Sequence, residues 1–123
     1  MRYMLLAHYS ELDGESLDEE SISAAMTAMA SYAATLEAAG VLIAAEVLHG
    51  SERTTTASLA SGELRIHDGP FAHTKEQIGG VFIIDVVDLD AALGWAAQAP
   101  PAQWGAVEIR PIATHTVKGV WFT

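Results

Sequence analysis

The sequence predicts an α+β domain in which helices cover one face of a mainly antiparallel sheet. Three observations carry that prediction. Short apolar runs of strand-like composition recur along the chain, two longer segments carry apolar residues at spacings of three and four, and the two kinds alternate in the order β α β, hairpin, β α β. A length of 123 residues fits one domain, and a hydrophobic content of 50% is enough for a core, which excludes disorder as a global description.

The first run, "RYMLLAHY" at residues 2–9, is apolar and bounded by polar residues, as a largely buried strand should be. "SLDE" then sets Ser16 three residues before Glu19, the hydroxyl-and-carboxylate pattern that caps a first helical turn, so a helix is expected to start there. Ile22, Met26, Met29, Tyr32 and Leu36 draw one apolar stripe, which must be buried against something, and Gly40 supplies the residue that helix ends favour. "VLIAAEVL" reads as the second strand. "TTTASLA" and "ELRIH" flank "SG", a hairpin turning at Ser61 and Gly62. "GVFIIDVV" is the clearest strand of all; Asp88 offers an N-cap to "LDAALGWAAQA", whose shorter stripe ends at Pro100 and Pro101. "AVEIRPI" closes the pattern as a last strand.

This order is that of a ferredoxin-like sandwich, βαβ-hairpin-βαβ, over residues 1–112. Its sheet has a second face that no helix covers, so a homodimer joined sheet to sheet, a dimeric α+β barrel, is expected. Residues 113–123 form a tail in which Val117, Val120, Trp121 and Phe122 are too apolar for a free end; the tail is expected to add a strand or to cross to the other subunit.

Net charge is −10, from 16 acidic residues against 6 Lys and Arg. Those cations (Arg2, Arg53, Arg65, Lys75, Arg110 and Lys118) are scattered, so no basic stripe is available for nucleic acid, and the overall charge repels anionic membranes. One local cationic pocket could still hold a small anion. The absence of cysteine excludes disulfides, thiolate metal sites and a cysteine nucleophile, and suits a reducing cytoplasm. "MRYMLLAHYSE" reaches acidic residues before a signal peptide or membrane span is complete, so an unexported cytoplasmic protein is expected. The histidines, His8, His49, His67, His73 and His115, form no HxxxH or HExxH pair, and there is no GxSxG, GxxxxGK[ST] or GxGxxG, so neither a metal nor a cofactor is expected. A weak exception is an ion shared by His67, His73 and Asp68.

The segment most suggestive of a site is "HDGPFAHTKEQIGG", His67 to Gly80. Gly69 and Pro70 should make a stiff turn that fixes the direction of Asp68, with Phe71 as its apolar anchor, while Gly79 and Gly80 permit a close approach where the next strand begins. Asp68 either caps its own turn or faces a ligand. His73 is either a general base oriented by that acid or a solvated loop imidazole. Lys75 is a clamp for an anionic group or half of a surface ion pair with Glu76. Glu46, inside an apolar strand, is a buried acid with a functional reason or an edge residue facing water. His8 shares its strand face with Met4 and Leu6, and either looks into the same cleft as Glu46 or is a satisfied core histidine.

"YMLLAHYSE", "LEAAGVLIAAEVL", "DGPFAHTKEQIGGVFIIDVVDLDAALGWA" and "GAVEIRPI" together resemble the YCII-related proteins, in particular their DGPF-motif branch. The resemblance spans residues 1 to about 112 and implies a ferredoxin-like subunit that dimerises through its sheet, with a cleft near the DGPF loop. The branch is often encoded beside sigma factors of the extracytoplasmic-function class, and its activity is mostly undefined. Wider family members are proposed to be lyases or hydrolases that use a His-Asp pair. Asp68 stands as the counterpart of that acid. The histidine belongs on the first helix, where this chain has Met29, which moves no proton. At position 73 the branch usually has Glu and this chain has His73. Two functions follow as expectations. One is a small cofactor-independent enzyme with acid/base lyase or hydrolase chemistry, in which Asp68 and His73 are catalytic and His8, Glu46, Phe71 and Lys75 contact substrate. The other is a noncatalytic dimer that binds a metabolite or a regulatory protein partner in a stress or sigma-factor circuit.

Overall fold

The computed structural model describes residues 1–11 and 17–123. Strand β1 runs Arg2–Ser10 and helix α1 Glu19–Ala38. β2 (Leu42–Val47), a 3-10 turn (Ser51–Arg53), β3 (Thr55–Ala60), β4 (Glu63–Asp68) and β5 (Glu76–Asp85) follow. Helices α2 (Leu89–Gln98) and α3 (Pro101–Trp104) precede β6 (Gly105–Pro111), and β7 (His115–Val117) and β8 (Val120–Phe122) end the chain. A four-stranded sheet in the order β2-β5-β1-β6 has antiparallel pairing throughout. Numbered among themselves, these four strands take the ferredoxin-like order, and the β3-β4 hairpin is an insertion that forms a sheet of its own.

Strand alternation divides the sheet into two faces. Tyr3 and Leu5 of β1 and Phe82 and Ile84 of β5 turn inward and are buried with Tyr32 and Leu36 of α1 and Ala92 and Ala96 of α2. The alanines let α2 lie close to the sheet. Tyr32 ties the two helices together: its hydroxyl donates to the Trp95 carbonyl at 2.7 Å, and its ring meets Phe82 edge-on at 5.1 Å. Met4, Leu6, Val81 and Ile83 face the other way and are only half-buried. No helix among the described residues is long and apolar enough to cross a membrane.

Several expectations change in detail. The predicted cap at Ser16 lies outside the described residues; α1 is capped by Asp18, whose carboxylate accepts from the Ser21 amide at 2.8 Å. The apolar stripe of α1 is core only in its second half, because Ile22 and Met26 are 43% and 68% exposed. Periodicity shows which side of a helix is apolar but not how far along it a neighbour extends. α2 ends at Gln98, just before Pro100 and Pro101 as expected, but a further short helix follows: Pro101 sits at the start of α3, where its missing amide proton costs nothing. Only half of the segment 67–80 is loop: β4 runs through Asp68 and β5 begins at Glu76, leaving 69–75 between them. The tail folds into its own hairpin, turning at Lys118 and Gly119 with φ of 49° and 81°. Ser61 and Gly62 make the expected hairpin turn with φ of 52° and 81°.

Candidate functional site

A cleft of about 920 Å³ opens at one end of the sheet. Its walls are the end of β1, the β2-β3 connection with its 3-10 turn, the β4-β5 loop and the first residues of β5. The loop owes its shape to a few bonds. Gly69, at φ +120°, takes a backbone conformation that side chains disfavour, and its amide donates to the Thr54 carbonyl at 2.8 Å while its own carbonyl accepts from Thr56 Oγ1 at 2.8 Å. Gln77 Nε2 donates to the carbonyls of Ala72 and Thr74 at 3.1 and 3.0 Å. The loop is thereby fastened to β3 on one side and β5 on the other.

The opposite wall is fastened by Glu11. Its carboxylate accepts from the Ser51 amide at 2.7 Å and from Ser51 Oγ at 2.6 Å, which holds the 3-10 turn against the end of β1. Between the two walls the pairing of β1 with β5 slips at Ala7 and His8, leaving Gly79 as the extra residue. The Tyr9 ring occupies the space a Cβ on residue 79 would need, so the glycine there is required by close packing, as its sequence context suggested. Burial, with a contribution from the Glu11 carboxylate, raises the Tyr9 phenol above its ordinary pKa, and the ring meets Trp104 edge-on at 5.9 Å.

His8 lines the cleft, and its Nε2 lies 3.0 Å from Glu108 Oε1. The strand register explains the pair: Leu6 stands opposite Glu108 and His8 opposite Ala106, so the two side chains are diagonal neighbours on the face that no helix covers. An ionised carboxylate only accepts, so the ring donates through Nε2, and whenever the ring is neutral its lone pair is on Nδ1. A histidine held this way by a carboxylate is oriented for proton transfer.

The other sequence-derived candidates are placed differently. Asp68 ends β4 opposite Thr55, is exposed, and is not part of the cleft wall. His73 is exposed and makes no hydrogen bond with Asp68 among the described residues; its ring meets that of His67 edge-on at 6.3 Å. The loop therefore does not join these two candidates as an acid/base pair. Lys75 is exposed and forms no ion pair with Glu76, whose side chain belongs to the cleft wall. Phe71 reaches the cleft but is 90% exposed, so it rims the opening and does not anchor the turn. Glu46 is not a buried acid: it lies on the edge strand β2 opposite Val81 and is exposed to water, where its charge needs no partner. Among the described residues no group of three His, Cys, Asp or Glu is placed to hold a metal ion, so His67, His73 and Asp68 do not form a ligand trio.

Sequence reasoning missed Glu108, Glu11, Ser51, His49 and the placement of Arg53. One signal was available for Glu108: it alternates with Val107 and Ile109, which pack against the core, and so had to share a face with His8 once the strands paired. Nothing local announces Glu11 and Ser51, because their contact spans 40 positions.

A family model described as the YCII-related domain matches residues 1–116. An uncharacterized protein of Rhizobium meliloti (strain 1021) is 31% identical over 118 residues, covering 94% of each chain.

Proposed function

The chain belongs to the YCII-related family, and from that premise we propose that its cleft binds a compact organic molecule and carries out cofactor-independent acid/base chemistry on it, of the lyase or hydrolase kind. His8 transfers the proton and Glu108 orients and steadies its ring. The observation that carries this reading is the 3.0 Å His8–Glu108 contact at the wall of the cleft. Leu48, Ile78 and Phe71 offer the apolar surface against which a substrate body rests. Asp68, His73 and Lys75 stand outside the cleft wall and take no direct part in this reading, while the DGPF run, through Pro70 and Phe71, shapes the opening. A second copy of the chain belongs to the same reading: it covers the half-buried sheet face on which His8 and Glu108 stand.

A thermal-shift screen of small metabolites against the wild type, His8→Gln and Glu108→Gln tests this proposal. Ligands that stabilise the wild type are expected to lose most of their effect in His8→Gln, and incubation with wild type alone should convert at least one of them, followed by NMR. If every ligand binds His8→Gln as well as wild type, the cleft reading fails.

One observation favours a noncatalytic metabolite- or protein-binding module, of the kind expected in a stress or sigma-factor circuit. Met29, which stands where the wider family carries its helix-borne histidine, packs against the core. In that case ligands stabilise the wild type and lose their effect in His8→Gln, yet none is turned over.

A further inference from the structure

We infer that the cleft selects a compact organic carboxylate and that Arg53 receives the carboxylate group. This rests on the reading of the cleft as a small-molecule site and adds the class of molecule it takes. The chain as a whole carries a net charge of −10, yet the cleft wall presents Arg53, His8 and His49 against one acid, Glu76, among the described residues. The nearby carboxylates of Glu11 and Glu108 are already engaged, by Ser51 and by His8.

Arg53 is also held in place. The 3-10 turn that carries it is closed by its own amide on the Gly50 carbonyl at 3.0 Å and pinned through Ser51 to Glu11. Its Nη1 lies 3.4 and 3.3 Å from the two ring nitrogens of His49. A nitrogen equidistant from both cannot lie along either lone pair; it sits over the face of the imidazole. This contact engages Nη1 and restricts the side chain, while the other N–H groups of the guanidinium remain free to donate to a carboxylate. A single guanidinium in a strongly acidic chain suits a monoanion better than a doubly charged phosphate, which the surrounding field opposes. Leu48, Ile78 and Phe71 would face the rest of the molecule.

Benzoate and its uncharged counterpart benzamide, titrated by calorimetry and by amide NMR shifts, separate charge from shape. Benzoate is expected to bind the wild type about tenfold or more tightly than benzamide, with shifts at His8, Ser51 and Ile78. Arg53→Gln should reduce benzoate to the level of benzamide and leave benzamide unchanged, while Arg65→Gln, on β4 and outside the cleft wall, changes neither. Melting curves check that each variant is folded. Equal binding of the two probes, benzoate affinity unaffected by Arg53→Gln, or no saturable response to benzoate would each overturn the inference. A cleft that still takes uncharged ligands in a His8-dependent way would meanwhile keep the proposed function standing.

Discussion

At the level of single residues, Tyr32 makes the most exacting prediction. Burial raises its phenol to about 12 from an ordinary value of 10.0, because the charged form would have to leave water. A raised acid keeps its proton in the folded state while the unfolded chain gives it up. Its stabilising effect is therefore complete below pH 10 and is lost as pH rises from about 10 to about 12, by on the order of 2 kcal/mol. Tyr32→Phe should cost about 1 kcal/mol near neutrality, through the lost bond to the Trp95 carbonyl. It should also flatten that alkaline decline in urea melts run between pH 8 and 12; an identical slope in both proteins would refute the assignment. Residue roles of this sort were unevenly legible. Alternation along "RYMLLAHY" correctly turned His8 away from Leu5, whereas the proximity of Asp68 and His73 in sequence suggested a pair that the loop does not make. A strand fixes side-chain direction through its period of two, and a loop has no such period.

At the level of elements, strands and helices were legible because each carries its own period, and the misreadings fall where a neighbour decides. The stripe on α1 looks uniform from Ile22 to Leu36, but the sheet covers only part of it. Leu36→Ala should therefore cost about 2 to 5 kcal/mol, since the side chain is fully buried and its removal leaves a cavity. Met26→Ala, on the same stripe, should fall within about 0.5 kcal/mol of wild type, as exposed substitutions do. Chemical denaturation of both variants measures the difference directly. Comparable losses at the two positions would mean that the first turns of α1 have a partner in solution. The loop before β5 was misjudged for a related reason: "EQIGG" has no strand-like composition, and it becomes strand because Ser10, Tyr9 and His8 of β1 supply its hydrogen-bonding partners.

At the level of the whole molecule, the open sheet face sets a problem that one chain does not solve. Met4, Leu6, Val81 and Ile83 form an apolar centre, with Glu46, Glu108 and Arg110 toward the edges. Apolar centre and charged rim are the pattern of an interface, and two-fold pairing lets the same patch serve both subunits. The inserted hairpin strengthens the case, because Leu59, Leu64 and Ile66 stand together on one of its faces at 74%, 62% and 67% exposure. A second copy seated on the sheet would cover the centre and bring its own surface to the hairpin and to the side of the cleft where His8 and Glu108 stand. Light scattering should then give about twice the chain mass of 13.0 kDa at micromolar concentration. Val81→Asp places a charge at the middle of the patch without touching the buried core residues, and is expected to yield a folded monomer with weakened benzoate binding. If wild type is itself monomeric, or if Val81→Asp leaves the dimer intact, the face is not where the subunits meet.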